Sequence, residues 1–160
     1  MTEFYLIILL ANIFTTIVLT GIAWYTQIAH YPLFRHTDKG EEGGNYFKAH
    51  QQQNLVIMAP FMVIELLTAL VLISAPFSNE KQIALWFAFA IVIFIWAYTY
   101  FKVYPLHVQL TRGYSEVGVE DLIRHNWARI IAWSTRSLIL LWVVYGLFHA
   151  NCLWVNYGGN

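Results

Sequence analysis

Five of the six histidines, His30, His36, His50, His107 and His125, lie in or beside two polar stretches between long apolar runs. Four of them, His30, His50, His107 and His125, each stand at the end of a different run. Neutral imidazole is a good ligand for a transition metal or a haem iron, so four helices packed side by side would bring one imidazole each to a common layer. His30, His50, His107 and His125 are therefore the cofactor-binding candidates, with His50 and His125 as the pair for a bare metal. No His-x-x-His, His-Glu-x-x-His or Cys-x-x-Cys-His motif accompanies them, and hydrogen bonding at helix ends is the plainer use of an interfacial histidine.

Two charges interrupt the apolar runs themselves, Glu65 and Arg136. A charge in hydrocarbon costs about 2.5–3.5 kcal/mol on insertion scales, so such residues turn inward and find a partner. Their depths along their helices agree within roughly 6 Å, which makes them mutual partners, either as an ion pair that specifies packing or as part of a catalytic centre. Arg129 lies about 6 Å deeper than His125 on the same face of its helix. It is placed to hold an anionic group such as a haem propionate, a quinone oxygen or an enolate, or else to snorkel to lipid phosphates. The catalytic candidates are thus His30, Arg129, Glu65 and Arg136.

What must position these residues is a set of transmembrane helices. Of the 160 residues 59% are hydrophobic and only 11% charged, against about 25% charged in a soluble domain. Nine Lys plus Arg balance nine Asp plus Glu, which excludes a nucleic-acid binder, and the lone Cys152 excludes an intramolecular disulfide. Apolar runs at 4–29, 55–75, 83–101 and 130–149 each approach the roughly 20 residues that cross the hydrocarbon, and all are apolar without a two-residue alternation. The expected fold is an all-α, integral-membrane four-helix bundle, one domain over residues 1–160. Lys and Arg concentrate in the first and third connections, which places those in the cytoplasm and both termini outside, in a bacterial inner membrane by expectation. The Gly-rich stretch 40–45 reads as a flexible loop, and Ala75-Pro76-Phe77-Ser78-Asn79 as a short outer turn.

At 100° per residue, each helix offers one polar or aromatic stripe: Asn12, Thr16, Thr20 and Gln27; His50, Asn54 and Glu65; Trp96, Tyr100, Tyr104 and His107; His125, Arg129 and Arg136. Four such stripes facing one interior make a bundle-core pocket. Tyr-Pro-Leu recurs at 31–33 and 104–106, where each proline is expected to stop its helix, and the recurrence suggests two tandem hairpins of the same orientation.

The sequence resembles the anthrone-oxygenase-like small membrane proteins. The resemblance rests on the four spans, on His30-Tyr31-Pro32 leaving the first, on Pro105, His107 and Leu110 after the third, and on Asn126-Trp127-Ala128-Arg129 with Arg136 opening the fourth. In outline, through Trp24-Tyr25 and Pro32-Leu33-Phe34-Arg35, it is also similar to the haem-binding four-helix protoporphyrinogen oxidases. The first resemblance implies oxidation of a lipophilic aromatic substrate within the bilayer, with function on His30, Arg129 and His107. The expected protein is a membrane oxidoreductase or oxygenase acting on a lipophilic, aromatic or quinone-like molecule, with haem or a transition metal as cofactor. Membrane lipid and that molecule are its partners, and a homo-oligomer is compatible with both. A non-enzymatic membrane subunit or small-solute carrier is the alternative.

Overall fold

The computed structural model describes residues 3–38 and 41–157, and the side chains of all of these except 41 and 150–157. The chain is helical almost throughout and forms four long rods. The first is α1 (Glu3–Tyr25), prolonged by a π turn (Thr26–His30) and a 3-10 turn (Tyr31–His36). The second is α2 (Glu41–Leu72). The third joins α3 (Asn79–Tyr98) through another π turn (Thr99–Val103) to α4 (Tyr104–Thr111), and the fourth is α5 (Glu116–Tyr157). Each rod is long and apolar enough to cross a membrane.

The first and third rods run on past their apolar stretches, and Pro32 and Pro105 mark how. A proline inside a helix lacks an N–H and pushes against the carbonyl four residues earlier. Both rods relieve this by widening the preceding turn: the Tyr31 N–H donates to Thr26 O and the Tyr104 N–H to Thr99 O, five residues back. The two Tyr-Pro-Leu segments therefore do not stop their helices, contrary to expectation. They continue them with a shifted phase.

The Gly-rich loop also resolves differently. Helix α2 starts at Glu41, so Gly43 and Gly44 are helical and packed, whereas Gly40 lies outside the described residues. A Cβ on Gly43 would come 2.0 Å from Asp38 O, and one on Gly44 would come 3.2 Å from Thr111 O. Glycine is there for close approach of backbone, not for flexibility. At the other connection on this end Gly113, with φ of +152°, makes the reversal between α4 and α5. Residues 73–78 form the short turn expected between α2 and α3.

Packing places α1 beside α2 and α5, and α3 beside α5 and α2, so α1 faces α3, and α2 faces α5, across the two diagonals. Three apolar layers fill the centre. Leu9, Leu72, Leu85 and Leu140 lie toward the 73–78 turn, Leu19, Met62, Ile95 and Trp133 in the middle, and Tyr31, Phe34, Phe47 and Leu122 at the end with the other two connections. The outside is as apolar as the inside: Ile7, Phe14, Leu55, Val56, Leu138 and Phe148 are all more than half exposed. Water does not tolerate such a surface over four helices, and lipid does.

Candidate functional site

Glu65 and Arg136 meet as expected, Nη1 to Oε1 at 3.0 Å, both fully buried. Because α2 and α5 are diagonal partners, this bond crosses the centre of the bundle. It is one strand of a wider mesh. The guanidinium donates from Nε to Ala88 O at 3.2 Å, from Nη2 to Asn12 Oδ1 at 2.8 Å, and from Nη1 also to Thr16 Oγ1. Glu65 further accepts from Thr16 Oγ1 at 2.9 Å and from the Trp133 indole at 3.2 Å. Asn12 Nδ2 completes the ring on Glu65 O and Thr68 Oγ1. All four rods contribute, and both charged groups are fully engaged by protein. A satisfied network of this kind fixes the relative positions of four helices.

A second polar seam holds the π turn of the first rod to α5, where Asn126 Nδ2 donates to Gln27 Oε1 at 2.9 Å and Gln27 Nε2 to Ile123 O at 3.2 Å.

The histidines separate into two groups. His30 Nε2 and His50 Nδ1 share a hydrogen bond of 2.9 Å, and the His50 and His107 rings lie 5.7 Å apart. His107 Nε2 is 3.4 Å from the Tyr31 hydroxyl. His125 instead bonds Tyr98 OH through Nδ1 at 2.6 Å. The structure thus brings together three of the four expected ligands and gives His50 and His125, the expected metal pair, different partners. Two facing nitrogens of the trio are spent on each other. Among the described residues no three His, Cys, Asp or Glu side chains are disposed to hold a metal ion.

What the residues do form is a cleft. It opens sideways between α2 and the third rod, at the end of the bundle that carries the histidines, and measures about 210 Å³. A dry cavity of ~150 Å³ already accommodates a benzene ring. Leu55, Met58, Ala59 and Met62 form one wall, and Trp96, Thr99 and Val103 the other. Tyr100 and Tyr104 stand at its mouth, His107 at its loop end, and Arg129 reaches its floor from α5. The expected stripe of Trp96, Tyr100, Tyr104 and His107 does face one cleft, but the two tyrosines are more than half exposed at its mouth, whereas His107 is 7% exposed.

Arg129 is the unusual member of the cleft. It is 3% exposed, and its partners are weak: Met58 Sδ at 3.7 Å and the face of Trp133 at 5.0 Å, with the Tyr31 hydroxyl also facing it. Its Nε–H has no acceptor, nor does the indole N–H of Trp96, and the hydroxyl of Thr99 also has no partner. Buried donors are almost always paired, so three orphans on one apolar cleft call for an acceptor from outside the chain. Sequence reasoning singled out Arg129 and Trp96 but missed Tyr31, Trp133, Met58 and Thr99. Trp133 was in reach, because it falls four residues after Arg129 and on the same helical face.

No family model matches the chain, and neither a curated protein nor a solved structure matches it.

Proposed function

We propose that the protein is a membrane-embedded oxidoreductase whose cleft takes a flat, lipophilic, oxygen-bearing molecule directly from the bilayer. The observation that carries this reading is the buried Arg129, with an orphaned Nε–H, at the floor of an apolar cleft that opens toward lipid. A carbonyl, phenolate or enolate oxygen satisfies it, and the methionines, Val103 and Leu55 take the ring. Arg129 stabilises negative charge that develops on that oxygen, which is the demand made by oxidation of a phenol or enol and by reduction of a quinone. The resemblance to anthrone-oxygenase-like proteins supports the same substrate class and the same arginine. Glu65 and Arg136, each engaged on every side, serve as the brace that holds Trp133 and hence Arg129 in place. Arg136 and Glu65 are accordingly read as supports and not as groups that touch substrate.

The test uses purified protein in nanodiscs. A naphthoquinone titrated against tryptophan fluorescence gives saturable quenching that weakens at least tenfold in Arg129→Met, and the corresponding hydroquinone, with dissolved dioxygen as the electron acceptor, is oxidised faster than in empty nanodiscs. Absence of saturable binding overturns the reading. Binding without turnover leaves the alternative, a non-enzymatic subunit or carrier, ahead. An absorbance spectrum with a Soret band, or stoichiometric metal, would return the histidines to ligand duty.

The finer topology belongs to the same proposal. The excess of Lys and Arg at the end with the histidines supports a cytoplasmic position for that end and the cleft, in a bacterial inner membrane with both termini outside. The matched π turns before Tyr31-Pro32 and Tyr104-Pro105, on rods that are diagonal partners, support a tandem pair of hairpins related by an axis along the bundle.

A further inference from the structure

The histidine trio has a polarity of its own. His30 is half-buried and stacks on the exposed Tyr25, with ring centroids 6.5 Å apart. His50 comes next, joined to it by the 2.9 Å bond from ring nitrogen to ring nitrogen. His107 lies beyond, buried and on the lining of the cleft. Around the first two rings lies an apolar sleeve: Phe34 is edge-on to both, at 5.2 Å and 5.0 Å, and it is itself fully buried together with Phe47. On the far side of the His50 ring, Nε2 is buried and has no hydrogen-bond partner in the chain.

A bond that only pinned the first π turn to α2 would need one donor and one acceptor. Gln at position 50 could supply that and leave no ring nitrogen stranded. Two imidazoles in line do something an amide cannot, since each accepts a proton on one nitrogen and releases it from the other.

We propose that His30 and His50 form a proton relay that connects the loop end of the bundle with the cleft, a proposal that rests on the reading of the cleft as a redox site. A proton taken by His30 on Nδ1 leaves from Nε2 to His50 Nδ1, and His50 releases one from Nε2, which faces no acceptor of the chain, to a water that hands it on toward His107 and the bound oxygen. Each ring ends with the proton count it began with, and the reverse sequence removes a proton from the cleft. Oxidation of a hydroxyarene liberates protons and reduction of a quinone consumes them, so an apolar cleft needs such a route. The titratable or charged groups facing the trio are Tyr25 and Tyr31 from the first rod and Arg129 from α5. His30 and His50 are positioning residues here, because neither lines the cleft.

Two measurements decide it. In nanodiscs, the coloured probe 2-hydroxy-1,4-naphthoquinone reports its own protonation after a stopped-flow pH jump. The relay requires that this step slow tenfold or more in His30→Gln and His50→Gln with probe affinity within twofold of wild type, and that His125→Gln, off the path, leave it unchanged. Equal rates in all variants with the probe bound overturn the relay. The second measurement needs no ligand. In protein labelled with 15N-histidine, the relay requires that the His30 and His50 ring resonances move together through one titration and that His30→Gln shift both nitrogens of His50. Independent titration overturns it. Failure of the probe to bind sinks the redox reading of the cleft and leaves the resonances to decide whether the two rings share a proton.

Discussion

The guanidinium carbon of Arg129 lies 5.0 Å from the centre of the Trp133 ring, while the same indole donates its N–H to Glu65 Oε2 at 3.2 Å. One fully buried tryptophan thus joins the closed network at the centre of the bundle to the open cleft beside it. The two buried arginines are opposites in chemical circumstance. Arg136 has an acceptor for each of its nitrogens, and Arg129 has a sulfur, an aromatic face and a phenol.

That contrast predicts a stability-function trade-off at Arg129. A cation buried without a carboxylate costs folding energy, and an isosteric apolar residue removes the cost. Arg129→Met is expected to raise stability in detergent by on the order of 1 kcal/mol or more while it abolishes quinone binding. A melting curve beside a binding titration checks both halves. A loss of stability would mean that Arg129 is structural.

At the other arginine the expected result is reversed. Removing one member of a buried pair strands the other, at about 3–5 kcal/mol, whereas removing both leaves altered packing. Glu65→Gln and Arg136→Gln should each lower the melting temperature sharply, and the double variant should recover much of the loss. Additive losses would show that each residue is held by Asn12, Thr16 and Trp133 independently of the other.

The four spans and the Glu65–Arg136 bond were legible in the sequence because both arise from one strong energy, the cost of polar groups in hydrocarbon. Burial of Asn12, Thr16, Gln27 and Arg129 was legible for the same reason. The exposure of Tyr100 and Tyr104 was not. A uniform 100° per residue puts them on the face of Trp96, where they do line the cleft, but the angle does not tell that this face is open at its mouth. The proline that causes the π turn is visible in the sequence, whereas whether a proline ends, kinks or widens a helix depends on what packs around it. The histidine layer was legible in part. One histidine per helix end fixes height along the bundle but not direction around each axis, so His125 turns to Tyr98 while the other three converge.

The widened turn itself can be tested. Deletion of Phe101, a residue 68% exposed within the second π turn, restores an ordinary helical turn and puts Pro105 into it. A proline in a regular helix interior costs ~3 kcal/mol or more, so the deletion should destabilise by about that amount. Adding Pro105→Ala to the deletion should restore most of the stability, because no ring then opposes the carbonyl four residues before it. Thr99 keeps its hydroxyl in both variants. If its orphaned state depends on the π turn, as the missing intrahelical partner suggests, quinone affinity stays low in the stable double variant and separates the cleft's geometry from the fold's stability.

The orientation prediction needs a site that accepts a cysteine. Gly43 does not, since a Cβ there would meet Asp38 O at 2.0 Å. Glu42 is exposed on the first turn of α2, at the end of the bundle that carries the histidines. In a Cys152→Ser background, Glu42→Cys should resist a membrane-impermeant maleimide in intact cells and react once the cells are opened. Wild type supplies the opposite control, because Cys152 comes after the fourth span and should react in intact cells. The physical ground is the distribution of Lys and Arg, three in residues 30–54 and four in 102–129 with one in 76–82, from which the positive-inside rule expects the first and third connections on the cytoplasmic side. Labelling of Glu42→Cys in intact cells would invert the molecule. The His30 end of the relay would then exchange protons with the outer aqueous phase, and the cleft would draw its ligand from the outer leaflet.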